Sequence, residues 1–135
     1  MTNFFHLVDA EHCSTAIVTL KNGALASRGS YQGMYQISDP INGKQSWTLD
    51  PYAIWYSLEW GWLIGELDDI GEDVCAFYAF DDYGGLDDSN NQWNYWHSWD
   101  GNFVSAGAND VNITCTSNNI FLAECSSKNT DYKVY

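Results

Sequence analysis

Nine of the eighteen acidic residues fall between Glu66 and Asp88: Glu66, Asp68, Asp69, Glu72, Asp73, Asp81, Asp82, Asp87 and Asp88. Carboxylates interleaved with Asn and Ser are what Ca²⁺ takes, about six to eight oxygens from a flexible loop. Asp87, Ser89 and Asn91 have the alternate spacing of such a loop. The EF-hand pattern then fails, because position six is Gln92 rather than Gly and position twelve is Ser98 rather than Glu. An irregular Ca²⁺ site is the only cofactor this pattern suggests, and solvated acidic loops account for the same residues. Glu59 and Glu66, on adjacent apolar segments, are the best pair for carboxylate-dependent hydrolysis, one as acid and one as nucleophile or base. His97, Ser98 and Asp100 supply the residue types of a triad, but a triad is defined by geometry rather than adjacency. His6 and His12 stand near Asp9 and Glu11, where a solvated terminal segment competes with metal binding. Gly84-Gly85 lacks the following Lys and Ser/Thr of a phosphate loop. No catalytic constellation emerges.

Aromatic rings are the second resource. The stretch WNYWHSW, residues 93–99, holds three of the seven Trp. Read with a period of two, Trp93, Tyr95, His97 and Trp99 share one face; Asn94, Trp96 and Ser98 share the other. Asp100-Gly101 then predicts a hairpin, with Phe103 on the return arm. Trp93 and Tyr95 are expected to be buried, and Trp96 to meet a partner. On AIWYSLEWGW, residues 53–62, Ile54, Tyr56, Leu58 and Trp60 form the expected core face. Trp55, Ser57 and Glu59 form the other, which makes Trp55 an exposed or rim ring. Trp55, Trp96 and Asn94 are therefore the candidate ligand-binding residues, suited to a glycan that stacks on rings and hydrogen-bonds nearby amides. Structural rings in a small β domain explain the same abundance.

The elements that must position these residues read as strands. STAIVTLK (14–21) alternates and is β-branched, and YQGMYQI (31–37) puts Tyr31, Gly33, Tyr35 and Ile37 on one face. AIWYSLEW (53–60), WLIGEL (62–67), the doubly apolar VCAFYAF (74–80), VNITCT (111–116) and IFLAEC (120–125) follow. Turn signals separate them: Asn22-Gly23, Ser38-Asp39-Pro40, Asn42-Gly43, Asp50-Pro51, Gly84-Gly85 and Asp100-Gly101. No segment of helical length carries a 3.6-residue period. The pattern predicts an all-β fold, a single-domain antiparallel sandwich or small barrel of about seven to nine short strands. Residues 1–12 form an N-terminal segment, 13–125 the β domain and 126–135 a C-terminal tail.

The formal charge of the 135-residue chain is −13, from 5 Lys and Arg against 18 acids. Neither Lys nor Arg occurs between Gln45 and Ser127, where fourteen of the acids lie. Nucleic acid and anionic membrane are poor partners for such a surface; a cation or a basic protein surface suits it. Apolar runs are too short for a transmembrane helix, and the opening MTNFFHLVDAEHC is not a signal peptide. Four cysteines, Cys13, Cys75, Cys115 and Cys125, lack C-x-x-C spacing, which argues for disulfides in an oxidising compartment rather than zinc. Three connectivities are open; Cys13 with Cys125 would tie the ends, and Cys75 with Cys115 would then staple interior strands. Asn112-Ile113-Thr114 is a glycosylation sequon.

In order, GSYQGMYQI, NGKQSW, AIWYSLEWGWLIGEL, AFYAF, WNYWHSWDGNF and VNITC follow a pattern of G-x-Y, N-G-[KR]-x-x-[WY], W-x-I-G and W-x-x-W. Over about residues 13 to 116 this resembles a small β-rich module of secreted, often multi-domain proteins of marine invertebrates and protists. The resemblance implies an extracellular, non-enzymatic interaction or structural module, partnered by another protein or by copies of itself within a larger assembly. A glycan-binding module and a carboxylate-dependent hydrolase are the alternatives.

Overall fold

The structure, a computed structural model, describes residues 13–80, 85–86, 89–90, 92–97, 101–107 and 109–117. Among these residues nine strands form one antiparallel sheet: β1 (Thr15–Leu20), β2 (Gly33–Ile41), β3 (Lys44–Leu49), β4 (Tyr52–Ser57), β5 (Gly61–Glu66), β6 (Phe77–Ala79), β7 (Trp93–His97), β8 (Asn102–Ser105) and β9 (Val111–Thr116). Their spatial order is β8-β7-β6-β5-β4-β3-β2-β1-β9. The chain thus runs as a meander, and its last described strand returns to pair with its first. The sheet curls into a half-barrel, the all-β class that alternation and turn spacing predict.

Alternation decides which side chains line the hollow. Ala16, Val18 and Leu20 of β1, Ile54 and Tyr56 of β4, Trp62 and Ile64 of β5, Phe77 and Ala79 of β6, and Trp93 and Tyr95 of β7 are all buried in one cluster. Trp93 and Tyr95 lie where the period of two puts them. Rings meet edge to face there, as their quadrupoles favour: Tyr31 and Phe77 at 5.5 Å and 73°, Phe77 and Trp93 at 6.5 Å and 81°. Asn42 and Gly43, at φ 55° and 83°, make the tight β2–β3 turn their residue types suggest.

Two expectations are corrected. Asn22-Gly23 is not a simple turn but the start of a short helix, α1 (Asn22–Arg28). It packs on β7, where the Arg28 Nε–H donates to the Trp96 carbonyl at 3.0 Å. With seven residues and only Ala24 buried, α1 has no periodic stripe to read. The second concerns the cysteines. The bridge joins Cys13 to Cys115, so neither Cys13–Cys125 nor Cys75–Cys115 forms. Pairing of β9 with β1 is the reason: Ala16 faces Cys115, and the Cα atoms of Cys13 and Cys115 stand 4.7 Å apart. Cys75 is a free, half-buried thiol; Cys125 and the predicted strand 120–125 lie outside the described residues.

Asn90, shortly before β7, bonds to β9. Its side chain takes the Ile113 N–H at 2.7 Å and donates to the Ile113 carbonyl at 3.1 Å.

Candidate functional site

On the outer face of the half-barrel, the site is built on the β4–β5 hairpin. Trp55 pairs with Leu63 and Ser57 with Gly61. Strand β4 therefore ends at Ser57, and Leu58, Glu59 and Trp60 form the connection. The Ser57 hydroxyl organises it, accepting the Glu59 and Trp60 N–H groups at 3.2 and 3.0 Å and donating to Asp73 Oδ1 at 2.9 Å. One donor and two acceptors use a hydroxyl's full capacity. A single buried serine thus fixes the turn and pins the acidic arm that links β5 to β6.

That arm, residues 67–75, lies on the outer face over Ala53, Trp55 and Leu63. Gly65 permits it. A Cβ there would stand 3.1–3.2 Å from Trp55 Cη2, the Cys75 Cα and the Val74 carbonyl oxygen. Trp55 is consequently 0% exposed, and its Nε1–H has no acceptor among the described residues. The expectation that Trp55 is a rim ring is wrong: both faces of β4 are covered, one by the core and one by the arm. The same hairpin reverses the expectation for Leu58 and Trp60, which are 77% and 43% exposed because the chain leaves the strand before reaching them.

Beyond the arm, four rings follow one another across the outer face. Trp60 meets Tyr78 of β6 at 5.8 Å and 68°. Tyr78 meets Phe103 of β8 at 5.0 Å and 75°. Phe103 meets its cross-strand partner Trp96 of β7 at 5.2 Å and 76°. These rings, with Asp73, Val74 and Cys75 of the arm, line a cavity of about 450 Å³. A smaller one, about 210 Å³, continues from Val74, Cys75 and Trp96 to Arg28, Tyr31, Glu66 and Asp69. Burial, and then the nearby Asp73 charge, pushes the Cys75 thiol up to about 12. Tyr31 is raised above its ordinary value by burial first and the Glu66 charge second, with Arg28 opposing.

Of the three residues predicted to bind a ligand, Trp96 lines the groove. Asn94 lies beside it, half-buried and paired with Tyr78 on the same face. Trp55 is sealed beneath. Alternation along β6 and β8 could have identified Tyr78 and Phe103. Trp60 and Asp73 depend on where the hairpin breaks, which alternation does not reveal.

The other candidates are dispersed. Glu59 precedes β5 and Glu66 ends it; β5 alone spans roughly 17 Å at about 3.3 Å per residue. A glycosidase pair stands about 5–9.5 Å apart, so the structure does not bring these two together. Ser89 is fully buried, its hydroxyl donating to the Leu86 carbonyl and accepting the Trp93 Nε1–H at 3.1 Å. Those bonds make it an anchor for Trp93. Asp87 and Asn91, like His6, His12, Ser98 and Asp100, lie outside the described residues. Among the described residues no group of three His, Cys, Asp or Glu is placed to hold a metal ion. Asn112 of the sequon is half-buried on β9, opposite Thr19.

Comparison with family models, curated proteins and solved structures finds no match for this chain. No helix among the described residues is long and apolar enough to cross a membrane.

Proposed function

We propose that this chain is a non-enzymatic extracellular interaction module whose contact surface is the aromatic groove on the outer face of β5–β8. The observation that carries this reading is the placement of Trp60, Tyr78, Phe103 and Trp96 outside the core, in contact with one another around a cavity of about 450 Å³. Clustered apolar surface in a folded domain marks a place where something else sits. Val74 at 57% exposure and Trp60 at 43% lie within it. Trp and Tyr are the residues that concentrate binding energy at such surfaces. The Cys13–Cys115 bridge supports an oxidising compartment.

A glycan is the second reading, favoured by the half-buried Asn94 amide beside Trp96. The test is a panel of extracellular proteins and polysaccharides probed in parallel with the wild type and Trp96→Ala. The proposed surface requires that ligands of the wild type bind at least about tenfold more weakly to the variant, a loss typical of an anchor residue. Ligands retained at full affinity by Trp96→Ala would place the contact surface elsewhere.

A further inference from the structure

We propose that the outer groove receives a cationic side chain, Lys or Arg, carried on a basic segment of a protein partner. This rests on the reading of the face as the contact surface and adds the chemistry of what enters it.

The first support is the attitude of the rings. Successive planes turn by 68°, 75° and 76°. A stacking platform for a sugar presents its ring faces in one plane. Rings turned this far from one another offer no such single plane, and aromatic faces carry the negative pole of the quadrupole. A cation within about 6 Å of such centroids is attracted by several rings together.

Charge is the second support. Among the described residues, Asp73 is the one carboxylate on the wall, and the larger cavity is lined by neither Lys nor Arg. The Ser57 hydroxyl holds Asp73 Oδ1 at 2.9 Å, so the negative charge stands at a fixed place. Glu59 adjoins Trp60 in the chain, and Glu66 and Asp69 line the continuation of the groove. Arg28 opposes them there, with its Nε–H already given to the Trp96 carbonyl. The balance is acidic locally and −13 over the whole chain, which steers basic segments toward it. Third, about 450 Å³ accommodates an arginine side chain with flanking backbone.

The experiment titrates the whole chain with acetyl-tetra-arginine amide and with the uncharged acetyl-tetra-citrulline amide, following Trp fluorescence and binding heat. The arginine peptide should bind saturably, with the citrulline peptide about tenfold weaker, the scale of a desolvated cation–π contact. Trp96→Ala and Asp73→Asn should each weaken the arginine peptide about tenfold. Asp39→Asn, on β2, should not change it, which separates the groove from bulk charge. Phe103→Leu provides an independent wall variant. Equal binding of both peptides, or arginine binding that survives Trp96→Ala and Phe103→Leu, overturns the proposal. A citrulline peptide or a polysaccharide that binds equally well and is lost in Trp96→Ala overturns the cation and leaves the contact surface standing. Absence of any ligand sensitive to Trp96→Ala overturns both.

Discussion

Trp93 and Trp96 are three residues apart on one strand and live in different environments. Trp93 faces the hollow, 1% exposed, with its Nε1–H on the buried Ser89 hydroxyl. Trp96 faces out, half-buried, against Phe103 and beside the arm. Strand β7 thus serves two regions. The inner face is a closed packing of rings around Phe77, whose role is to hold the curl together. The outer face is an open row of rings around a cavity, which the fold does not need filled. Aromatic content alone does not separate these roles; the side of the sheet does.

Trp93→Ala should produce the largest effect. Deleting a fully buried indole, with the bond that its Nε1–H gives the Ser89 hydroxyl, should cost about 3–5 kcal/mol, seen as a lower urea midpoint. A cost below about 1 kcal/mol would erase the contrast between the faces.

Gly65→Val is the next test, aimed at the arm that seals Trp55. Its Cβ would already crowd the backbone of Val74 and Cys75 at 3.2 Å. The expected cost is about 1–3 kcal/mol, with a red shift of Trp emission. The Cys75 thiol, pushed up to about 12, should alkylate very slowly at pH 8 in the wild type and faster once the arm lifts. Unchanged alkylation would show that the arm does not lie on Gly65.

Alkali probes the buried phenols by titration. Burial raises Tyr35 of the inner face, and Tyr31 likewise, above the ordinary value of 10.0. Their neutral forms are favoured in the folded state, so this stability is fully present below about pH 10. It is lost as pH rises further and the unfolded chain ionises. Thermal melts should hold up to about pH 8.5, weaken above pH 9 as the unfolded Cys75 thiol ionises, and fall further above pH 10 as the phenols follow. A midpoint that rises above pH 10 would contradict the buried placement of these phenols.

Trp96→Ala should have the smallest effect on stability, about 1 kcal/mol or less. Its consequence should be seen in binding.

Much of this was legible in the sequence where the physics is local. Alternation in STAIVTLK and WNYWHSW marks strands and assigns Trp93 and Tyr95 inward. The Asn42-Gly43 pair marks a turn because both residues adopt positive φ readily. What was not legible depends on contacts between distant segments. Trp55 reads as exposed from its polar neighbours and is buried by an arm more than ten residues away in the chain. The cysteine pairing follows from β9 returning to β1, a topological fact that no spacing encodes. The groove takes one ring each from β6, β7, β8 and a hairpin connection, and its carboxylate from a fifth segment. Trp60 belongs to it because the strand stops at Ser57, three residues short of where a period of two would carry it inward.

The division between the faces comes down to one paired measurement on Trp96→Ala: urea unfolding and arginine-peptide titration of the same preparation. The midpoint should stay within about 1 kcal/mol of the wild type and the affinity should fall about tenfold. A loss of about 3 kcal/mol or more with peptide affinity unchanged would make Trp96 a core residue like Trp93 and leave the outer face without a contact role.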